Sequence, residues 1–203
     1  MLDADECIRG VLIPAGDGLA GPFDIFLKGS RIAAIEPAQG SDSNNICLPG
    51  FVDAHCHGAA AVFDPAIQLA LLRQGVTTIV VGQDGIGYAP SNKDSFDWSG
   101  NYFAGIDGTT PFVQPGSMAS WLASYDKTTA LNVAAFVPHG SLRYLVMQAS
   151  QRNAAPQEIA EMAEILGQSL AEGALGLATG LEYVPAAWAQ KDELVTLLEI
   201  VTQ

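Results

Sequence analysis

The segment Pro49-Gly50-Phe51-Val52-Asp53-Ala54-His55-Cys56-His57 sets two imidazoles two positions apart, directly after an apolar run. In a strand, alternate side chains share a face, so His55 and His57 point the same way and Asp53 joins them. At a rise of about 3.3 Å per residue their Cα atoms fall roughly 6.6 Å apart, which lets both imidazoles converge on one metal ion. Ala54 and Cys56 point to the opposite face. The chain holds only three histidines, and two are spent here. The plain alternative is a coincidental pair in a core strand.

The elements that must position this pair can be read outward from it. The chain has 203 residues, 49% hydrophobic and 15% charged, which is the composition of a folded chain with a sizeable core. A net charge of −13 argues against nucleic acid and against anionic membrane surfaces as partners. The first residues carry no basic or apolar leader, and no apolar run approaches the ~20 residues of a membrane span. Three cysteines without metal-finger spacing fit a reduced, cytoplasmic setting.

Residues 1–48 read as all-β, with apolar runs at 8–13, 23–27 and 32–35 separated by Gly-rich turns and a loop at 39–45. Residues 49–203 read as alternating strand and helix. Strands are expected at 51–55, 77–81, 131–137 and 175–178. Asp64-Pro65 starts a helix that Gly75 stops, with Ile67, Ala70 and Leu71 as its stripe. Ser117 caps a second, with stripe Met118, Trp121, Leu122 and Tyr125. A third runs from Pro156 to near Gly173, and the last spans 192–201 with stripe Leu194, Leu197, Leu198 and Val201. A long loop is expected at 82–115. Four β/α units imply a parallel sheet, half of the eight that close a barrel of about 250 residues.

The segment at 49–57 resembles the strand-one signature of the amidohydrolase superfamily. Gly75-Val76-Thr77-Thr78-Ile79-Val80-Val81-Gly82-Gln83-Asp84-Gly85, followed by Tyr88-Ala89-Pro90, resembles strand two of the N-acyl-D-amino-acid deacylases (D-aminoacylases). Pro138-His139-Gly140-Ser141-Leu142-Arg143 is similar to their Gly-His-Gly-Thr-Leu-Arg after strand three. Gly173-Ala174-Leu175-Gly176-Leu177-Ala178-Thr179-Gly180-Leu181-Glu182-Tyr183-Val184-Pro185 is similar to their strand-four motif. The resemblance implies an α/β fold: an N-terminal β-sandwich half, then about four β/α units of a (β/α)8 TIM barrel. It implies zinc, as one or two divalent ions, and hydrolysis of the amide of an N-acyl amino acid by a metal-activated water. His55 and His57 would hold the metal, and Tyr183 matches a family tyrosine that contacts the small-molecule substrate. His139, after strand three, is either a substrate-pocket residue at the barrel mouth or a hydrogen-bonded structural histidine, and Arg143 either binds a substrate carboxylate or forms a surface salt bridge.

Three departures qualify the resemblance. The family carries a ligand cysteine where this chain has Asp84, so Asp84 either ligates through a carboxylate or is a turn residue beside Gly85. Hydantoinase- and dihydroorotase-like relatives use a carboxylated lysine on strand four, and 173–183 holds none. The family's remaining ligands, two histidines and an aspartate that is also the general base, belong to later strands. The expectation is therefore the N-terminal portion of a larger enzyme. The alternative is a catalytically inactive half-barrel that self-associates or pairs with a complementing C-terminal half.

Overall fold

Alternation of apolar residues with Gly-containing turns folds the first unit, Met1–Pro49, into a meander. The computed structural model describes residues 4–40, 44–107 and 114–202. Strands β1 (Glu6–Ala15), β2 (Gly18–Lys28) and β3 (Arg31–Pro37) form one antiparallel sheet in that order. The register sets Ile8 opposite Ile25 and Ile25 opposite Ile35, a cross-strand row of the kind that fixes pairing. Only this sheet of the expected sandwich half lies among the described residues of the unit. Of the expected loop at 39–45, residues 41–43 fall outside the described residues, and so do residues 108–113 of the expected loop at 82–115.

In the second unit, Gly50–Gln203, parallel strands alternate with helices. They are β4 (Phe51–Asp53), β5 (Val76–Val81), β6 (Asn132–Ala135), β7 (Val137–Pro138) and β8 (Leu177–Ala178). β4, β5 and β6 pair in that order, and β7 pairs with β8, all parallel. The break between β6 and β7 is a change of partner. Phe136 N still donates to Val81 O at 3.0 Å, whereas Val137 N donates to Gly176 O at 2.8 Å. The expected strand at 131–137 thus turns from β5 toward β8 at Phe136.

The helices are α1 (Pro65–Arg73), α2 (Lys93–Asp107), α3 (Met118–Ala123), α4 (His139–Met147), α5 (Pro156–Ala171) and α6 (Lys191–Val201). Asp64 caps α1 by accepting from Ala66 N at 2.8 Å, and Ser117 caps α3 by accepting from Ser120 N at 3.3 Å. Val62, Ile79, Val81, Met118, Leu142, Met162, Leu166 and Leu197 form the centre of the core, with no exposed surface.

Three expectations are corrected. Residues 82–115 are not one long loop, because α2 occupies the middle. Asn92 Oδ1 accepts from Ser95 N at 2.9 Å and Ser95 Oγ accepts from Asn92 N at 3.1 Å, a reciprocal cap. Small Ser99 then lets α2 approach α4, and Trp98 stacks on Tyr144 with ring centroids 4.5 Å apart. Residues 139–147 form α4, a helix that no capping signal marks in the sequence; it begins at His139 with no side-chain cap. On α6 the buried face carries Glu193, whereas Leu198 is 53% exposed.

Candidate metal centre

β4 ends at Asp53, so both histidines lie beyond the strand rather than within it. Asp53 Oδ1 accepts from His55 N at 3.2 Å, a local bond that draws the chain out of the extended ladder. The imidazoles therefore share no strand face, yet they still converge, with ring centroids 5.2 Å apart. Cys56 N donates to Val80 O at 3.1 Å and keeps the segment against β5. The Cys56 side chain packs toward the core, and burial pushes its thiol up, which disfavours the thiolate a metal would need.

Asp84 arrives from the end of β5 through a tight turn. Gly82 takes φ 85°, and a β-carbon on it would stand 2.5 Å from Phe136 O, so only glycine fits. Asp84 itself adopts the left-handed region at φ 56° and ψ 16°. Gln83 Nε2 donates to Ala54 O at 2.6 Å and ties this turn to the bend that carries His55.

The result is a three-residue cluster. Asp84 Oδ2 lies 3.1 Å from His57 Nε2 and 3.6 Å from His55 Nε2. The three ligand atoms all lie within 4.8 Å of one another. Ligands bound at about 2.0–2.1 Å around a tetrahedral ion are separated by roughly 3.3 Å, so the donor set fits a divalent ion such as zinc in chemistry and in spacing. The cluster opens to solvent on the His55 side, whose side chain is 60% exposed, against 25% for His57.

An aromatic wall stands beside it. Phe103 of α2 tilts against His57 with centroids 5.2 Å apart, and Tyr102 meets the expected substrate residue Tyr183 edge-on at 6.2 Å. The Asp84 carboxylate pushes the Tyr183 phenol above its ordinary pKa. Asp107, at the end of α2, accepts from Ala60 N at 3.1 Å and Ala61 N at 3.2 Å; burial raises its carboxyl and those bonds oppose the rise.

The structure does not bring the other two expected substrate residues to this cluster. His139 and Arg143 are fully buried, and their polar atoms are committed within the protein. His139 Nε2 lies 2.7 Å from Glu193 Oε1 and Nδ1 lies 2.8 Å from Thr179 Oγ1. Arg143 bonds Glu193 through Nη1, Pro185 O through Nε and Arg152 O through Nη2. Burial pushes the Glu193 carboxyl up, but bonds from His139 and Arg143 hold it below its ordinary value. Sequence reasoning missed Gln83, Phe103, Tyr102 and Glu193. Only the position of Gln83, next to Asp84 in the strand-two motif, signalled a role.

No protein-family model matches the chain. It is 32% identical over 97% of its length to an N-acyl-D-aspartate deacylase of Alcaligenes xylosoxydans xylosoxydans, of which it covers 40%. It is 31% identical over 92% of its length to a D-aminoacylase of the same organism, covering 39% of that protein. The crystal structure of the N-acyl-D-glutamate deacylase of Bordetella bronchiseptica, complexed with zinc and a phosphonate mimic of the tetrahedral intermediate, superposes with a TM-score of 0.78. That match has 29% identity over 97% of this chain and 42% of the other. A D-aminoacylase structure with a binuclear metal centre matches at TM-score 0.73 and 28% identity, over 94% of this chain and 41% of the other. The chain thus resembles N-acyl-D-amino-acid deacylases over almost its whole length and spans about two fifths of theirs.

Proposed function

We propose that this chain is part of a metal-dependent amidohydrolase that cleaves N-acyl amino acids of D configuration, with His55, His57 and Asp84 holding a divalent ion, zinc foremost. The observation that carries this is the convergence of two imidazoles and a carboxylate where β4 and β5 end. The strand order follows the chain order, as in the arc of a TIM barrel, and barrel enzymes build their sites at the C-terminal ends of the strands. The antiparallel first unit would then be part of the sandwich.

When bound, such an ion supplies polarisation of the scissile carbonyl and brings the pKa of the attacking water toward about 7. The chain's own residues orient the reaction. His55 and His57 are held by the Asp53 turn and by Cys56 N. Tyr183, beside Asp84, offers a phenol to the substrate, and a phenol is a hydrogen-bond donor at neutral pH. Water adds to the amide carbon, and the products are a carboxylate and a free amine. The general base belongs to a later strand than those described.

A second reading follows from the sheet edges. Phe51 and Val52 on β4 are 53% and 58% exposed, and Leu175 before β8 is 56% exposed. We assign this apolar margin to further parallel β/α units, supplied by more of the same polypeptide, a second copy or a complementing chain; without them the fold is an inactive half. A hydantoinase- or dihydroorotase-like activity has less support, since 173–183 offers no lysine for carboxylation. Three free cysteines fit a reduced, cytoplasmic setting, and among the described residues no helix is long and apolar enough to cross a membrane.

The test is zinc content of the purified chain and of His55→Ala/His57→Ala, with hydrolysis of N-acetyl-D-aspartate and N-acetyl-D-glutamate by a polypeptide that includes the later strands. Zinc and turnover should both depend on the pair. Full deacylase activity in the double variant overturns the proposal.

A further inference from the structure

The buried ion cluster between α4 and α6 takes no part in the chemistry above, yet two of its members grip one loop. His139 Nδ1 holds Thr179 Oγ1 at 2.8 Å, and Arg143 Nε donates to Pro185 O at 3.1 Å. The loop 179–185 between these anchors carries Tyr183. Glu193 bridges the anchors themselves, accepting from His139 on one carboxylate oxygen and from Arg143 on the other.

The near end of this loop lies against the turn that presents Asp84. A β-carbon on Gly180 would stand 2.4 Å from the Asp84 carbonyl oxygen, and one on Gly85 would stand 3.0 Å from Gly180 N. The two backbones therefore touch with no side chain between them, at the point where Asp84 is held in a left-handed conformation. A displacement of residues 179 and 180 transmits directly to the Asp84 main chain. A fully satisfied buried network has one low-energy arrangement, because any partial opening leaves a charge uncompensated.

We infer that His139, Glu193 and Arg143 are positioning residues: through loop 179–185 they fix Asp84 as the third ligand beside His55 and His57, and Tyr183 beside it. This rests on the metal reading of that cluster. It also gives His139 and Arg143 a role in the site that requires no contact with substrate.

Thr179 is exposed, so Thr179→Val removes the His139 bond while adding no bulk to the core. The probe is Co2+ alone, titrated into the purified chain and followed by its visible absorption, with circular dichroism to establish folding. The expected result is Co2+ binding about 10–100-fold weaker in Thr179→Val, with a changed spectrum, and restoration in Thr179→Ser. Glu193→Gln should weaken binding at least as much where it folds; if it does not fold, Thr179→Val decides. A folded Thr179→Val chain with wild-type affinity and spectrum overturns the inference while leaving the metal reading intact. If the wild-type chain and His55→Ala/His57→Ala bind alike, or neither binds, the metal reading fails and this inference with it.

Discussion

Asp84 Oδ2 stands 3.1 Å from His57 Nε2, although the two residues are 27 positions apart and leave different strands. The pairing is assembled by two local devices, the Asp53 turn that ends β4 and the Gly82 turn that ends β5. Asp84→Ala should therefore weaken zinc binding by more than the about 10–100-fold typical of losing an outer partner of a ligand. Asp84→Cys should retain binding and shift preference toward softer ions, since thiolate favours zinc over manganese. Competitive titration with Zn2+ and Mn2+ measures both. An Asp84→Ala chain with unchanged affinity would leave Asp84 as a turn residue only.

Leu197 and Leu198 are neighbours on α6 with opposite environments. Leu197 has no exposed surface and Leu198 is 53% exposed. Leu197→Ala should cost about 2–5 kcal/mol, the range for a truncated core leucine. Leu198→Ala should fall within about 0.5 kcal/mol of wild type in the isolated chain. Urea denaturation of both variants makes the comparison, and a loss at Leu198 like that at Leu197 would mean that its face is covered in solution.

That pair also shows where periodicity misleads. The spacing of Leu194, Leu197, Leu198 and Val201 defines an apolar stripe, but the core side of α6 includes Glu193, which no hydrophobic pattern selects. Its burial depends on His139 and Arg143, some fifty residues away on α4. The capped helices α1 and α3 and the apolar strand β5 were legible because their signals are local. The His-Cys-His segment and Asp84 were legible as residues, and their convergence was not: the histidines meet Asp84 through a bend after β4 rather than through a shared strand face. Helix α2 was hidden because its inward positions Ser95 and Ser99 are polar, and its packing against Ser141 and Tyr144 is tertiary.

The α2 cap gives a direct test of that last point. Asn92→Ala removes the acceptor for Ser95 N and should cost about 0.5–2 kcal/mol. Because α2 carries Phe103 against His57, the same variant should raise hydrogen exchange at the amides of α2 and broaden the His57 imidazole signals in NMR spectra. Unchanged exchange along 93–107 would show that tertiary contacts alone hold the helix.

Glu158, at the start of α5, links stability to acid. Arg152 grips both of its oxygens, at 2.8 and 2.6 Å, and Ala155 N donates to it at 2.7 Å. The Arg152 bonds, with Ala155 N and the guanidinium charge in support, hold the carboxyl down at about 2 from an ordinary 4.5. A carboxylate whose folded pKa lies below its unfolded value favours the fold while ionised. Its contribution is therefore full above pH 4.5 and disappears as pH falls toward about 2. Glu158→Gln should be less stable than wild type at pH 7, by a small margin because the pair is exposed to solvent. The difference should shrink steadily between pH 4.5 and about 2. Thermal melts of the two chains across that interval measure it, and a gap that stays constant with pH would show that Glu158 acts through shape rather than charge.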